Sequence, residues 1–413
     1  MAVAFGIPDD RPDDRPDETV MTDIRIEREI SLPDALRVSR AASAPHLGPR
    51  VLFFSGGSAL NGISRQLKTY TFNSIHLITP FDSGGSSQIL REAFDMPAVG
   101  DLRSRLMALA DETVLGQPDI YALFSHRLSR TAPQEELRAE VAAMIEGNHP
   151  LISAVAKPMR MLIRTLLESF AAEVPRGFDY RNASIGNLIL AGGYLSNGRA
   201  LEPVLFLMSK MVDVRGTVRA VVDETLQLGV ELSDGRVIVG QRQISGKESA
   251  PIDSPIARLF LSDGRQELAP GDVPLPKRNR KLIAQSDVIC YPPGSLYSSV
   301  IANLLPAGVG KAIAARHVPK VFLPSLGVDP EALGHGLADQ VQALLAPLLA
   351  DAGRKIPAGQ LLTHVLCDRS QSEEACAEVT ARFGIPCHRL PLRQTDQDKY
   401  DTRKVAELLV SLG

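Results

Sequence analysis

Tryptophan is absent from the 413 residues and aromatic side chains make up only 5% of them, which argues against a surface built to stack bases or sugar rings. Positive charge is not in excess either. The 45 lysines and arginines nearly balance 48 aspartates and glutamates, so no net field draws a nucleic-acid backbone, and a small partner is expected. Cysteine is scarce: Cys290, Cys367, Cys376 and Cys387 contain no Cys-x-x-Cys pair. They fit no usual structural zinc site with the scattered histidines, and read as free thiols in a reducing compartment. No apolar run approaches the roughly 20 residues that cross a bilayer, and the N-terminus carries Pro-Asp-Asp-Arg repeats rather than a basic stretch with an apolar core. The expectation is a cytoplasmic protein that engages neither membrane nor nucleic acid.

Hydrophobic residues, at 44%, suffice for a sizeable core. Residues 1–28, rich in Asp, Arg and Pro, are expected to be a flexible tail, and 29–413 a single α/β domain. Its first ordered run, Arg50-Val-Leu-Phe-Phe-Ser-Gly-Gly, is apolar throughout and stopped by glycines, as suits a strand buried on both faces of a parallel sheet. A helical segment from about Ala59 to Tyr70 and the run Ser74-Ile-His-Leu-Ile-Thr-Pro complete a β-α-β unit. A helical insertion follows over about 101–180, then a β-rich stretch from Gly216 to Gln241 with hairpin-turn chemistry at Ser233-Asp-Gly-Arg. Strands at Val288-Ile-Cys-Tyr and Val321-Phe-Leu return to the sheet, and a β-α-β-α part closes the chain over about 360–413. The fold class is therefore α/β: a Rossmann-like parallel sheet with helices on both faces, a helical insertion and a small β-rich segment. The helical section offers a homodimer surface or a covered layer with equal ease.

Five loops have the chemistry to meet an anion. Gly56, Gly57 and Ser58 follow the first strand, where glycines permit the tight turn that points helix-start amides at a phosphate. The spacing is neither Gly-x-Gly-x-x-Gly nor a P-loop, because Ile63 stands after Gly62 where a P-loop needs lysine. After the second strand comes Asp82-Ser83-Gly84-Gly85-Ser86-Ser87, with Arg91 two turns on; Asp82 suits Mg²⁺ or a hydroxyl, and equally a helix cap. Asp101 and Arg103 open a helix as an ordinary capped start or as diphosphate contacts. Asn187, in Ser184-Ile-Gly-Asn, is a hydrogen-bonding ligand group or a buried cap. Last is Pro292-Pro293-Gly294-Ser295-Leu-Tyr297-Ser298-Ser-Val-Ile-Ala-Asn303, a buried strand ending in a turn and a helix start. Loops at the ends of strands in one sheet would share one crevice.

Read in order, these loops resemble the CofD-like superfamily, which includes 2-phospho-L-lactate transferase and the YvcK-type gluconeogenesis-factor, uridine-diphosphate-sugar-binding proteins. The family writes Gly-Gly-Thr-Gly-Leu where this chain has Gly56-Gly-Ser-Ala-Leu, and Asp-Asp-Gly-Gly-Ser-Ser-Gly-x-Leu-Arg where it has Asp82-Ser-Gly-Gly-Ser-Ser-Gln-Ile-Leu-Arg. Pro-Pro-Gly-Asp-x-Arg becomes Val99-Gly-Asp-Leu-Arg, and Gly-His-x-x-Gly-Asn-Leu becomes Asn182-Ala-Ser-Ile-Gly-Asn-Leu. Gly-Pro-Gly-Ser-Leu-Tyr becomes Pro292-Pro-Gly-Ser-Leu-Tyr. Ser83 replaces a paired aspartate and Ala183 the family histidine, which puts a two-carboxylate metal site in question. The later Gly-Glu-Thr segment reads Pro330-Glu-Ala. The resemblance implies a nucleotide diphosphate, or a small molecule linked to one, across the strand ends, with Asn61, Asn303 and the loop residues named above as contacts. It implies Asp82 as catalytic or metal-holding residue and Mg²⁺ as cofactor. Two outcomes stay open: a Mg²⁺-dependent transferase of a phosphoryl-linked group, or a regulatory nucleotide-sugar binder that consumes nothing.

Overall fold

The computed structural model describes residues 29–413 apart from Ser83, 114–115, 247–250, Arg354 and Asp396. The expected tail at 1–28 and the expected contact Ser83 lie outside the described residues. Residues Leu32–Gly413 form one compact unit. In chain order its main elements are α1 (Ala35–Ser43), β1 (Val51–Ser55), α2 (Asn61–Leu67), β2 (Ile75–Ile78), α3 (Gly85–Phe94), α4 (Gly100–Leu109), α5 (Pro118–Ser125), α6 (Gln134–Glu146), α7 (Pro150–Ala154), α8 (Lys157–Glu173), α9 (Ile185–Ser196) and α10 (Leu201–Met211). Then follow β3 (Thr217–Ala220), β4 (Gln227–Leu232), β5 (Val237–Val239), α11 (Gln241–Ser245), β6 (Ile256–Ser262), α12 (Lys277–Gln285), β7 (Val288–Tyr291), α13 (Val309–Ala314), β8 (Lys320–Phe322), α14 (Leu337–Ala352), β9 (His364–Asp368), α15 (Glu373–Phe383), β10 (Cys387–Leu390) and α16 (Thr402–Leu412).

Seven strands form one parallel sheet in the order β10-β9-β8-β7-β1-β2-β3. Alternation of side chains decides what covers each face. Val51 and Phe53 of β1 pack with α2 and α16, whereas Leu52 and Phe54 join Tyr291 and the helices α12 to α15 on the other side. All four are fully buried, each side chain contributing about 1.5–3 kcal/mol. The crossover from β2 to β3 holds a separate helical core around Leu106, Phe124, Leu167 and Ile189. The helical stretch read over about 101–180 thus extends from Gly85 to Met211, because the flanking helices, read separately in the sequence, belong to the same crossover.

The β-rich stretch divides in two. Thr217–Ala220 is the edge strand of the large sheet, while β4 pairs with both β5 and β6 in a three-stranded antiparallel sheet. The expected turn joins β4 to β5, with Gly235 at φ +88° and Leu232 N–H donating to Arg236 O. No sequence signal marked β6, whose burial does not alternate. No helix among the described residues is long and apolar enough to cross a membrane.

Candidate functional site

Strand order reverses at β1. The chain proceeds outward through β2 and β3, then returns to β7 on the other side, so the carboxyl ends of β1 and β7 flank the topological switch point, where α/β sheets open a crevice. A cleft of about 220 Å³ lies there, lined by Gly57, Ser58, Thr79, Asp82, Gly84, Asp101, Gln241, Arg242, Ser245, Ser298 and Ser299. Residues from the loops after β1, β2 and β7 therefore meet at one place, joined by the first turn of α4 and by α11 from the small sheet.

The β1 loop turns on its glycines. A Cβ on Gly56 would stand 2.6 Å from Thr79 Oγ1, and Gly57 has φ +60°. The Gly57 N–H donates to Asp101 Oδ2 at 2.6 Å, so the carboxylate of Asp101 already takes one amide that was expected to face a phosphate. Behind the loop Arg105 is fully buried, donating to Ser64 Oγ at 2.6 Å and toward Gly57 O at 3.4 Å. Burial pulls its pKa down to about 9, against the attraction of Asp101.

In the β2 loop Asp82 Oδ1 accepts from Gly84 N–H at 3.0 Å, shaping the entry to α3, and Gly85 has φ +54°. A Cβ on Gly100 would come 2.2 Å from Ser87 Oγ and 3.1 Å from Asp82 Oδ2, which places the start of α4 against this loop. Although serine stands at the family's second aspartate, Asp101 brings another carboxylate to the same cleft.

The β7 loop departs further from expectation. Leu296 to Val300 form a wide π-helical turn continued by a 3₁₀ turn, Ile301 to Leu304. Its amides are turned to the chain's own acids. Leu296 N–H donates to Asp329 Oδ2 (2.7 Å), and Tyr297 N–H (3.1 Å) and Ser298 N–H (2.8 Å) to Glu331 Oε2. Ser298 Oγ donates to Glu331 Oε1 at 2.5 Å, and Glu331 is only 1% exposed. Contrary to the sequence reading, the anion at this turn is a buried glutamate, supplied by Pro330-Glu-Ala. Gly294 exchanges hydrogen bonds with Ser325 and lines an adjoining cavity of about 320 Å³ with Leu296, Val328, Leu333 and His335. Pro293 is buried and Ser295 half-buried, and neither lines the cleft. Tyr297 points toward the small sheet, where its hydroxyl meets Ile256 O and His335 Nε2, and burial raises its pKa to about 12. Ser298 and Ser299 remain at the cleft.

The remaining expected contacts serve as struts. Arg91 donates to Phe81 O (3.0 Å), Asp82 O (3.3 Å) and Leu226 O (2.5 Å), clamping the β2 loop to the small sheet. Arg103 Nε donates to Asn187 Oδ1 (2.9 Å), whose Nδ2 donates to Ser86 Oγ (3.0 Å), so one relay ties α4, α9 and α3. Burial, reinforced by Arg127, holds Arg103 down at about 10. Asn61 donates to Ser104 Oγ, and the buried Asn303 to Ser55 O and Ser299 O, pinning the β7 loop to the end of β1. Thr79, Gln241, Arg242 and Ser245 line the cleft without having been read as site residues. The last three ride on a five-residue helix whose position depends on the small sheet, and nothing local marks them.

The family model described as "2-phospho-L-lactate transferase CofD" matches residues 51–410. A gluconeogenesis factor of Bacillus subtilis is 27% identical over 375 residues, covering 88% of this chain and 98% of the relative. One from Halalkalibacterium halodurans is 28% identical over 298 residues, 71% of this chain and 72% of its own length. In fold, the chain is similar to the crystal structure of a UPF0052-family protein from Bacillus halodurans, with a TM-score of 0.63 and 23% identity over 87% of this chain and 99% of that one. With the family's model spanning the sheet from β1 into α16, the chain belongs to the CofD family.

Proposed function

We propose that the cleft binds the diphosphate of a nucleotide-linked small molecule together with Mg²⁺, and that the protein acts as a regulatory binder of the gluconeogenesis-factor kind. The observation that carries this is the meeting of Asp82 and Asp101 with the start of α3 and hydroxyl side chains at the switch point. Two carboxylates flanked by Ser58, Thr79, Ser298 and Ser299 are a hard-oxygen donor set of the kind Mg²⁺ takes. Each carboxylate is oriented by a backbone amide, Gly84 for Asp82 and Gly57 for Asp101. Bound there, the ion would screen phosphate charge from the acids; Arg242, also at the cleft, would meet a phosphate oxygen directly.

Two features favour binding over turnover. Ala183, at the family's histidine position, is 1% exposed and brings no proton-transfer group. Beyond Gln241 and Arg242 a cavity of about 610 Å³ is lined by Gln88, Glu92, Asp95, Thr225, Gln227 and Gln243, with Phe81 and Val239 among its few apolar members. Such a wall suits a hydroxyl-rich group better than a flat ring system. The transferase reading rests on the same carboxylate pair, since a metal there would spread charge on a transferring phosphoryl group.

The experiment is calorimetric titration of the protein with uridine, guanosine and adenosine diphosphates and their sugar conjugates, with and without Mg²⁺, followed by product analysis. Saturable Mg²⁺-dependent binding with ligand recovered intact supports the regulator. Released nucleotide or transferred group moves the assignment to transferase, and no binding by any nucleotide removes both.

A further inference from the structure

Away from the cleft, the helical layer holds a second constellation. Among the described residues, His126, Glu140 and His149 are the one group of three metal-ligating side chains whose donor atoms all lie within 4.8 Å of one another. His126 ends α5, Glu140 lies in α6 and His149 caps α7. His126 Nε2 is 2.8 Å and His149 Nε2 3.8 Å from Glu140 Oε1, and the side chains are 31%, 18% and 28% exposed for His126, His149 and Glu140. The group is thus open to an ion from solvent.

We propose that His126, Glu140 and His149 form a binding site for a borderline transition-metal dication of the Zn²⁺ type, distinct from the nucleotide cleft. A tetrahedral ion with ligands at about 2.0–2.2 Å sets them roughly 3.3 Å apart, and the separations of 2.8 and 3.8 Å straddle that value. Two imidazoles and one carboxylate suit Zn²⁺, Co²⁺ or Ni²⁺ rather than Mg²⁺, which takes oxygen donors. The fourth position stays with water, the three side chains facing solvent on one side.

His149 Nδ1 accepts from Leu151 N–H at 3.2 Å, so its ring proton sits on Nε2, toward Glu140. On ligation through Nε2 that proton passes to Nδ1, so the cap bond from Leu151 N–H is given up and the ring moves off the amide. Because the ligands come from three successive helices, bound metal staples α5, α6 and α7 and stabilises the folded chain. His126 O also accepts from Ile185 N–H, the first residue of α9.

The test uses the full chain with Co²⁺ and Zn²⁺ as probes. One equivalent of Co²⁺ should bind with visible d–d absorption, and Zn²⁺ should raise the melting temperature where equal Mg²⁺ does not. Both effects should vanish in His126→Gln, Glu140→Gln and His149→Asn. The last is the strictest variant, since asparagine keeps a cap acceptor for Leu151 N–H while deleting the ligand; a folded but metal-blind His149→Asn protein supports the site. The site is overturned if the parent takes up no Co²⁺, or if uptake persists unchanged in the three variants.

Discussion

Glu331→Ala separates a ligand seat from a self-satisfied turn at the end of β7. In the parent, Glu331 accepts from the amides of Tyr297 and Ser298 and from the Ser298 hydroxyl, all buried. Truncation leaves the hydroxyl free to rotate but strands both amides, at about 1–3 kcal/mol each, so a loss of about 2–6 kcal/mol is expected. Over Leu32–Gly413, an unfolding entropy of about 2.1 cal/mol/K per residue turns this into a fall in Tm of about 2–8 °C. Glu331→Gln keeps an oxygen for the amides and should fall by less than half as much. The variant with alanine also opens an anion hole: sulfate or phosphate should restore part of its stability beyond any effect on the parent. Scanning calorimetry of the three proteins with and without sulfate decides. If Glu331→Ala melts within about 1 °C of the parent, the amides do not depend on the glutamate and the turn is an anion seat after all.

Other expectations follow from the same geometry. Asp82→Asn retains an acceptor for Gly84 N–H, so Tm should stay within about 1 °C while Mg²⁺-dependent nucleotide affinity drops tenfold or more, about 1.4 kcal/mol, by calorimetry. Asp111 accepts from Thr113 N–H and pairs with Arg215 at 2.9 Å, which holds its pKa down at about 2 from 3.8. Its contribution is present above pH 3.8 and is lost as the pH falls toward 2, so urea midpoints should decline less steeply over that window in Asp111→Asn. Gly192→Ala would set a Cβ 1.8 Å from Leu166 O where α8 crosses α9; a loss of about 3 kcal/mol or more is expected, read as a lower urea midpoint.

Much of the sheet was legible because buried parallel strands are short apolar runs stopped by glycine or proline, and β1, β2 and β7 carry that pattern in full. Their loops could be read as sharing one crevice because they follow strands of one parallel sheet. The partners of the loop amides could not be read. Whether an anion at a helix start is a ligand or a side chain from elsewhere is a tertiary fact, and Glu331 and Asp101 are such side chains. The partners of the arginines were equally hidden: Arg91 donates to backbone carbonyls of the β2 loop and Leu226, and Arg103 to the side chain of Asn187. Arg105, among leucines on α4, gave no sign that it lies beneath the β1 loop. β6 and α11 escaped because mixed burial gives neither a period of two nor one of 3.6.

These placements set the electrostatics of the cleft. Of the two arginines expected near the ligand, Arg91 donates to carbonyls and Arg103 to Asn187; Arg105, which was not expected there, lies behind the β1 loop. Among the described residues, the charged groups lining the cleft are Asp82, Asp101 and Arg242. An entering diphosphate brings at least two further negative charges into a site that is already acidic. The α3 start offers the field of a helix N-terminus, roughly half a positive charge, which does not offset them. On the proposed reading, a divalent cation held by Asp82 and Asp101 would arrive with the ligand and screen the phosphate charge. Binding of a nucleotide diphosphate should therefore weaken by orders of magnitude on chelation of Mg²⁺. Asp101→Asn should relieve part of that dependence by removing one of the repelling charges, while its side-chain oxygen still accepts from Gly57 N–H. Equal affinity with and without metal in the parent would mean that the cations closing the site come from a movement of Arg91 or Arg103 out of their present hydrogen bonds.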